Sequence, residues 1–240
     1  MVCDAFCGEK EEMMIKAGSD STIMEYRLHL ALTPKELEET AEKYHFSGMD
    51  VRTGTEELQG IHEMLCKAAD CRAVCMVEKE KMEAEAVLTL GAQVDALQEE
   101  YQKQGLLMEA YLLDCLCREL LRKGNRALDE RIQERMNLYA IRYLFPGQNL
   151  PLEEMEKIFL CFDGKAPVKL HPGFVLVPRQ SVAYRIVLSD REPETCADIC
   201  ADCVRRASCE RYTSGERYGN REKRADDAFP NTDSQPSDFH

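Results

Sequence analysis

The sequence lacks any apolar run approaching the roughly 18–20 residues that cross a bilayer, so no membrane partner is expected. It is also short of positive charge: 31 Lys and Arg stand against 44 Asp and Glu, a formal net charge of -13. Phosphate backbones are held by clustered Lys and Arg, so this balance disfavours nucleic acid as a main partner. The same charge favours solubility and docking on a basic protein face. The first residues, MVCDAFCGEKEEMM, lack the charged-then-apolar order of a signal peptide, and a cytoplasmic location is expected. Also missing are a phosphate-binding glycine loop, a nucleophile elbow and a zinc-protease helix motif. Nothing independent points to kinase or hydrolase chemistry, no catalytic residue is assigned, and no internal repeat is evident.

What is present is enough for a core. At 240 residues with 44% hydrophobic content, one large domain with tails is the simplest organisation. Twelve cysteines are many for a reducing compartment, where free thiols are the default. Cys66, Cys71, Cys75, Cys115, Cys117 and Cys161 fall within apolar periodic segments, where a thiol packs as a small hydrophobe.

Along the chain, residues 1–19 read as a flexible N-terminal segment and 20–194 as the core. Residues 195–212 form a cysteine-rich segment, and 213–240, nearly without apolar residues, a disordered tail. Residues 20–32 alternate enough to suggest a short strand or an extended entry segment. Thr33-Pro34-Lys35-Glu36 has the N-cap, first-position Pro and acid of a helix start, predicting a helix to about Tyr44. A second helix is expected from Glu56, capped by Thr55, to Ala69. Residues 72–77 and 86–90 have strand character. Residues 92–138 carry helical spacing interrupted at Gly105, with Gly124 as a second break and 126–136 as an exposed, charged continuation. A loop at Phe145-Pro146-Gly147 and a short helix over 152–161 follow. Runs of strand type occupy 168–170, 173–177 and 181–188, the last read as the hairpin partner of the second. The order of elements gives an α+β fold, long central helices packed on a twisted antiparallel sheet.

Five pieces, in order, carry a family resemblance: Thr89-Leu90-Gly91 with Val94-Asp95; Gly105-Leu106-Leu107-Met108-Glu109-Ala110 leading to Leu113-Asp114; and Phe145-Pro146-Gly147-Gln148 with Pro151-Leu152-Glu153. The fourth is Val168-Lys169-Leu170, Phe174 to Pro178 and Ser181-Val182, and the fifth is Cys200-Ala201-Asp202-Cys203 with Cys209-Glu210-Arg211-Tyr212. Together they resemble the activation domain of cobalamin-dependent methionine synthase in its short, stand-alone bacterial form, over most of residues 20–212. The resemblance implies a module that binds S-adenosylmethionine and supports reductive remethylation of cobalamin held by a partner, a corrinoid protein or methyltransferase. Whether the chain is itself an enzyme is left open by it. Tyr143 stands where the family's loop carries Arg, Arg142 is one residue early, and Gln148 replaces a Tyr. A second reading follows from those departures: a redox or docking protein of a corrinoid methyltransferase system that no longer binds the ligand.

Three candidate sites result. Around the Pro146-Gly147 loop, glycine permits close backbone approach to a ligand and Arg142 suits its carboxylate, with Tyr143 and Gln148 beside it. On the central helix, Asp114 and Glu119 offer carboxylates to a sulfonium or a ribose hydroxyl, or else ion pairs with Arg118 or Arg122. The third is Cys196-x₃-Cys200-x₂-Cys203-x₅-Cys209, whose four thiolates suit zinc or an iron–sulfur cluster, the alternative being free thiols or a redox pair. His171 before Pro reads as a loop residue. His62, without a second His at ligand spacing, reads as a surface position.

Overall fold

In the computed structural model the described residues are 12–16, 21–46 and 51–193, with the backbone alone for 12–16 and 51–56. Strands β1 (Glu12–Lys16) and β2 (Ser21–Leu28) lead into helices α1 (Pro34–Lys43) and α2 (Val51–Ala68). Strands β3 (Cys71–Glu78) and β4 (Glu83–Thr89) precede α3 (Ala92–Lys103) and the 30-residue α4 (Leu107–Met136). Then come β5 (Tyr139–Leu144), α5 (Glu154–Leu160), β6 (Lys169–His171), β7 (Val175–Val177) and β8 (Ser181–Ser189). Six strands form one antiparallel sheet in the order β1-β2-β3-β4-β8-β5, and β6 and β7 pair separately.

The period of two along the central strands decides the layering. Ala73, Cys75 and Val77 of β3, with Ala84, Ala86 and Leu88 of β4, face Leu128 and Ile132 of α4. Val74, Met76 and Val87 face the other way, onto Met155, Ile158 and Phe162 in and after α5. With both faces covered, these strands are apolar almost throughout, which is why they read so clearly. A second cluster lies among the helices, where Leu58, Ile61 and Leu65 of α2 meet Leu113, Leu116 and Leu120 of α4. Each fully buried Leu there contributes about 1.5–3 kcal/mol from removal of its surface from water.

Local signals behave as the chemistry predicts at α1. Thr33 Oγ1 accepts from the Glu36 N–H at 3.2 Å, and Glu36 Oε2 accepts from the Thr33 N–H at 2.7 Å, a reciprocal capping box. Gly105 takes a left-handed φ of 74° and separates α3 from α4.

Several expectations are corrected. Gly124 does not divide α4; the helix runs through it because the missing side chain lets the helix lie against Leu88 of β4. Residues 126–136 are not wholly exposed, since Leu128 and Ile132 are fully buried on the sheet side. Thr55 lies inside α2 rather than capping it. β5 was not anticipated; its burial pattern is irregular because a bulge at Ile141 shifts its register on β8. The hairpin partner of β7 is β6, while β8 is central and pairs with β4 and β5. Glu12–Lys16, within the segment expected to be flexible, forms the edge strand β1. His62 is buried, not surface: its Nε2 accepts from the Leu32 N–H at 2.9 Å and lies 3.3 Å from Cys66 Sγ. His171 ends β6 and is exposed.

Candidate functional site

The pairing of β5 and β8 leaves part of β8 without a neighbouring strand on one side among the described residues. β5 pairs only with residues 185–189 of β8, ending at Leu144 opposite Arg185. Residues 181–184 are laddered to β4 on one side, and beyond Leu144 no strand covers their other side among the described residues. A sheet edge of this kind presents backbone donors and acceptors to whatever lies beside it.

At one end of this stretch is the loop after β5. The Gly147 N–H donates to Leu150 O at 2.8 Å, Gln148 N–H to Phe145 O at 3.0 Å, and Asn149 Oδ1 accepts from the Phe145 N–H at 2.6 Å. Asn149 Nδ2 also donates to Tyr143 O at 2.9 Å, so one side chain ties the turn from both ends. Gly147 has a φ of 82°, a left-handed conformation that glycine adopts without steric cost. The Gly147 backbone and the Gln148 side chain are exposed, and Pro146 is half-buried.

The other end is the start of β8. Asp95, in the first turn of α3, accepts from the Arg179 N–H at 2.6 Å and the Gln180 N–H at 3.2 Å. The Arg179 guanidinium meets Glu99 at 2.8 Å. Ser181 Oγ donates to Pro178 O at 2.7 Å and lies 2.8 Å from Thr89 Oγ1. Asp114 of α4 reaches this corner by accepting from Gln180 Nε2 at 3.3 Å, while its other oxygen pairs with Arg118.

The candidates named from the sequence therefore fall in different places. Pro146, Gly147 and Gln148 form the turn after β5, Arg142 lies on β5 opposite Val187, and Asp114 stands at the β8 start. Tyr143 points inward: it is buried, its ring lies 5.9 Å from that of Tyr184, and its hydroxyl donates to Asp129 of α4. Arg142, next along the strand, is exposed. Glu119 turns to α1, where it is 2.7 Å from Lys43 Nζ and accepts from Tyr44 Oη at 2.9 Å. Burial opposes its ionisation, but the Lys43 charge and hydrogen bond outweigh burial and hold its pKa below the ordinary value. Cys196, Cys200, Cys203 and Cys209, with the 213–240 tail, lie outside the described residues. Among the described residues no group of three or more His, Cys, Asp or Glu is placed to hold a metal ion. Burial raises the pKa of the Cys71 thiol to about 12 and pushes Cys75 and Cys117 higher still, so these thiols are protonated, apolar packing groups.

Two features had no counterpart in the sequence reading. Arg185 of β8 is clamped between Glu85 at 2.7 Å and Glu154 at 3.4 Å, joining β4, β8 and α5. Beneath β5, Asp129 is half-buried, its Oδ1 shut off from solvent, with Tyr143, Tyr184 and Cys75 around it. Asn125 and Asp129, four apart beside buried Leu128 and Ile132, were the available signal for that second cluster.

This is an α+β architecture with four helices on one face of an antiparallel sheet and a short helix and hairpin on the other. More particularly, it is the fold of the MetH reactivation domain. The crystal structure of that domain bound to AdoHcy matches 81% of this chain and 88% of its own, with a TM-score of 0.51 and 13% identity. At that identity the likeness establishes the fold. No family model and no curated protein matches the chain. No described helix is long and apolar enough to cross a membrane.

Proposed function

We propose that this chain is an activation module for a cobalamin-dependent methyltransferase, of methionine synthase type, that binds S-adenosylmethionine. In this reading it is cytoplasmic and supports reductive remethylation of cobalamin carried by a partner corrinoid protein or methyltransferase. The observation that carries the proposal is the stretch 181–184 of β8, paired on one side only among the described residues and flanked by the Pro146-Gly147 turn and by Asp114, in a fold whose solved neighbour holds AdoHcy. The residues present fit such a ligand. Backbone groups of the strand edge suit its polar ends, Arg142 suits its carboxylate through paired charge-assisted hydrogen bonds, and Asp114 suits its positive charge or ribose. Bound S-adenosylmethionine would supply the methyl group; the chain's part is to hold and orient it at the sheet edge.

A second reading is supported by Tyr143, which is packed into the core, and by Gln148. On this reading the ligand edge has lost its function and residues 196–209 bind zinc or an iron–sulfur cluster, making the chain a redox or docking component of the same system. Calorimetric titration of S-adenosylmethionine into the reduced protein separates the two, with Arg142→Ala alongside. Saturable binding, weakened at least about tenfold by loss of the charged pair, supports the activation module. No heat up to millimolar ligand refutes it and leaves the second reading.

A further inference from the structure

Under the candidate loop lies a titratable group that ligand binding does not require. Asp129 sits on the sheet side of α4 with buried Leu128 and Ile132 to either side in sequence. Its Oδ2 accepts from Tyr143 Oη, and its Oδ1 is buried without a hydrogen-bond partner. Two more buried oxygens, Tyr184 Oη and Asn125 Oδ1, are likewise without partners. The groups facing Asp129 are Tyr143 from β5, Tyr184 from β8 and Cys75 from β3, with Arg126 and Glu130 on its own helix. None of those from the strands carries positive charge, and Glu130 repels.

Among the described residues β5 is an edge strand, laddered on one side only, and Tyr143 gives it a direct hydrogen bond to α4. Two residues further on, the chain enters the 145–150 turn, which Asn149 ties back to the Tyr143 carbonyl. Any loosening of Tyr143 is therefore transmitted to the turn.

We propose that Asp129 is a proton-operated latch: protonated, it holds β5 and the 145–150 turn against α4; ionised, it draws water into the contact and loosens both. A half-buried carboxylate with one hydrogen bond, one shielded and unpartnered oxygen and only Arg126 on its own helix to offset its charge is costly to ionise, and opening an edge strand is the least disruptive way to hydrate it. Burial, only partly offset by the Tyr143 hydrogen bond, raises the Asp129 pKa to about 7. The latch thus works near neutral pH, and it stands whether or not the loop binds S-adenosylmethionine.

Hydrogen exchange of the 142–150 amides in the unliganded chain tests it from pH 5.5 to 8.5, after correction for intrinsic base catalysis. Protection is expected to fall about tenfold through a midpoint near 7, with helix α2 unchanged, and the step is absent in Asp129→Asn. Flat corrected protection in the wild type, or the same step in the variant, overturns the proposal. Tyr143→Phe provides a second arm: it lowers protection of the turn already at pH 6, and unaltered protection there overturns the latch. The ¹³C carboxyl resonance of Asp129 in the wild type gives a third, free of variants. Titration in the same window as the exchange step supports the latch, and titration below about pH 5, the ordinary Asp range, refutes it.

Discussion

Glycine 124 should be intolerant of a single methyl group, and glycine 60 should welcome one. Both lie inside helices, α4 and α2. Replacing Gly by Ala in a helix interior gains about 1 kcal/mol, from restricting the unfolded chain and improving helix propensity. At Gly60 a Cβ meets nothing within 4 Å, so that gain should appear undiminished. At Gly124 a Cβ would lie 2.6 Å from Leu88 Cδ2, 3.3 Å from Leu88 Cδ1 and 3.2 Å from Leu30 Cδ1. Leu88 is fully buried on the central strand β4 and cannot swing aside into solvent. Overpacking of this kind costs about 1–3 kcal/mol, and with a contact this short on a rigid neighbour the cost belongs at the upper end. The net expectation is a loss of about 1–2 kcal/mol for Gly124→Ala and a gain of up to about 1 kcal/mol for Gly60→Ala.

Urea unfolding followed by far-UV circular dichroism reads both. The Gly124→Ala midpoint should drop by about 0.5–1 M for a slope of about 2 kcal/mol/M, and the Gly60→Ala midpoint should rise slightly. The mechanism has its own check. Leu88→Val removes the clashing δ-carbons, so adding Gly124→Ala to that variant should cost little or become stabilising, a coupling expected only of residues in contact. A Gly124→Ala protein as stable as the wild type would refute the close-approach reading, as would an undiminished cost in the Leu88→Val background.

Two further predictions concern groups that hold the helical layer. His62 is kept neutral by burial, which lowers its pKa below the ordinary value of about 6.5. The unfolded chain therefore takes up this proton first, and stability should decline as pH falls below about 6.5. His62→Gln should flatten that part of the urea-midpoint profile between pH 7.5 and 5, and an unchanged slope would count against it. Glu119→Gln should cost about 2–3 kcal/mol by leaving Lys43 half-buried without its anion, yet leave S-adenosylmethionine affinity unaltered in calorimetry; weakened binding without lost stability would place Glu119 at the ligand instead.

How legible this fold was depended on whether a segment's signal was local. The capping box at Thr33 and Glu36 is completed by residues three apart, so its sequence suffices. The runs that became β3 and β4 are apolar on both faces because both faces are covered, and their composition alone betrays them. Gly124 is the opposite case. Intrinsic propensity marks it as a break, but its role is set by Leu88, thirty-six positions away in sequence and brought close only by the fold. Leu128 and Ile132 were hidden among the charges of 126–136, where a narrow buried stripe is outnumbered by the solvated face. His62 was misjudged because its partner, the Leu32 backbone, leaves no mark in composition.

The candidate site shows the same division within two adjacent residues. Pro146-Gly147 announces a turn wherever it occurs, but the direction of Arg142 and Tyr143 before it depends on strand register, where a slip of one residue exchanges the two faces. The bulge at Ile141 sets that register against β8, and it sends Tyr143 to Asp129 and leaves Arg142 at the surface. An arginine at 143, where the family resemblance places one, would on this backbone be driven toward Tyr184 and the core. Of the two adjacent residues, Arg142 is the one this strand exposes. The linear pattern cannot show this, because a single extra residue in β5 decides which of the two neighbours is turned outward.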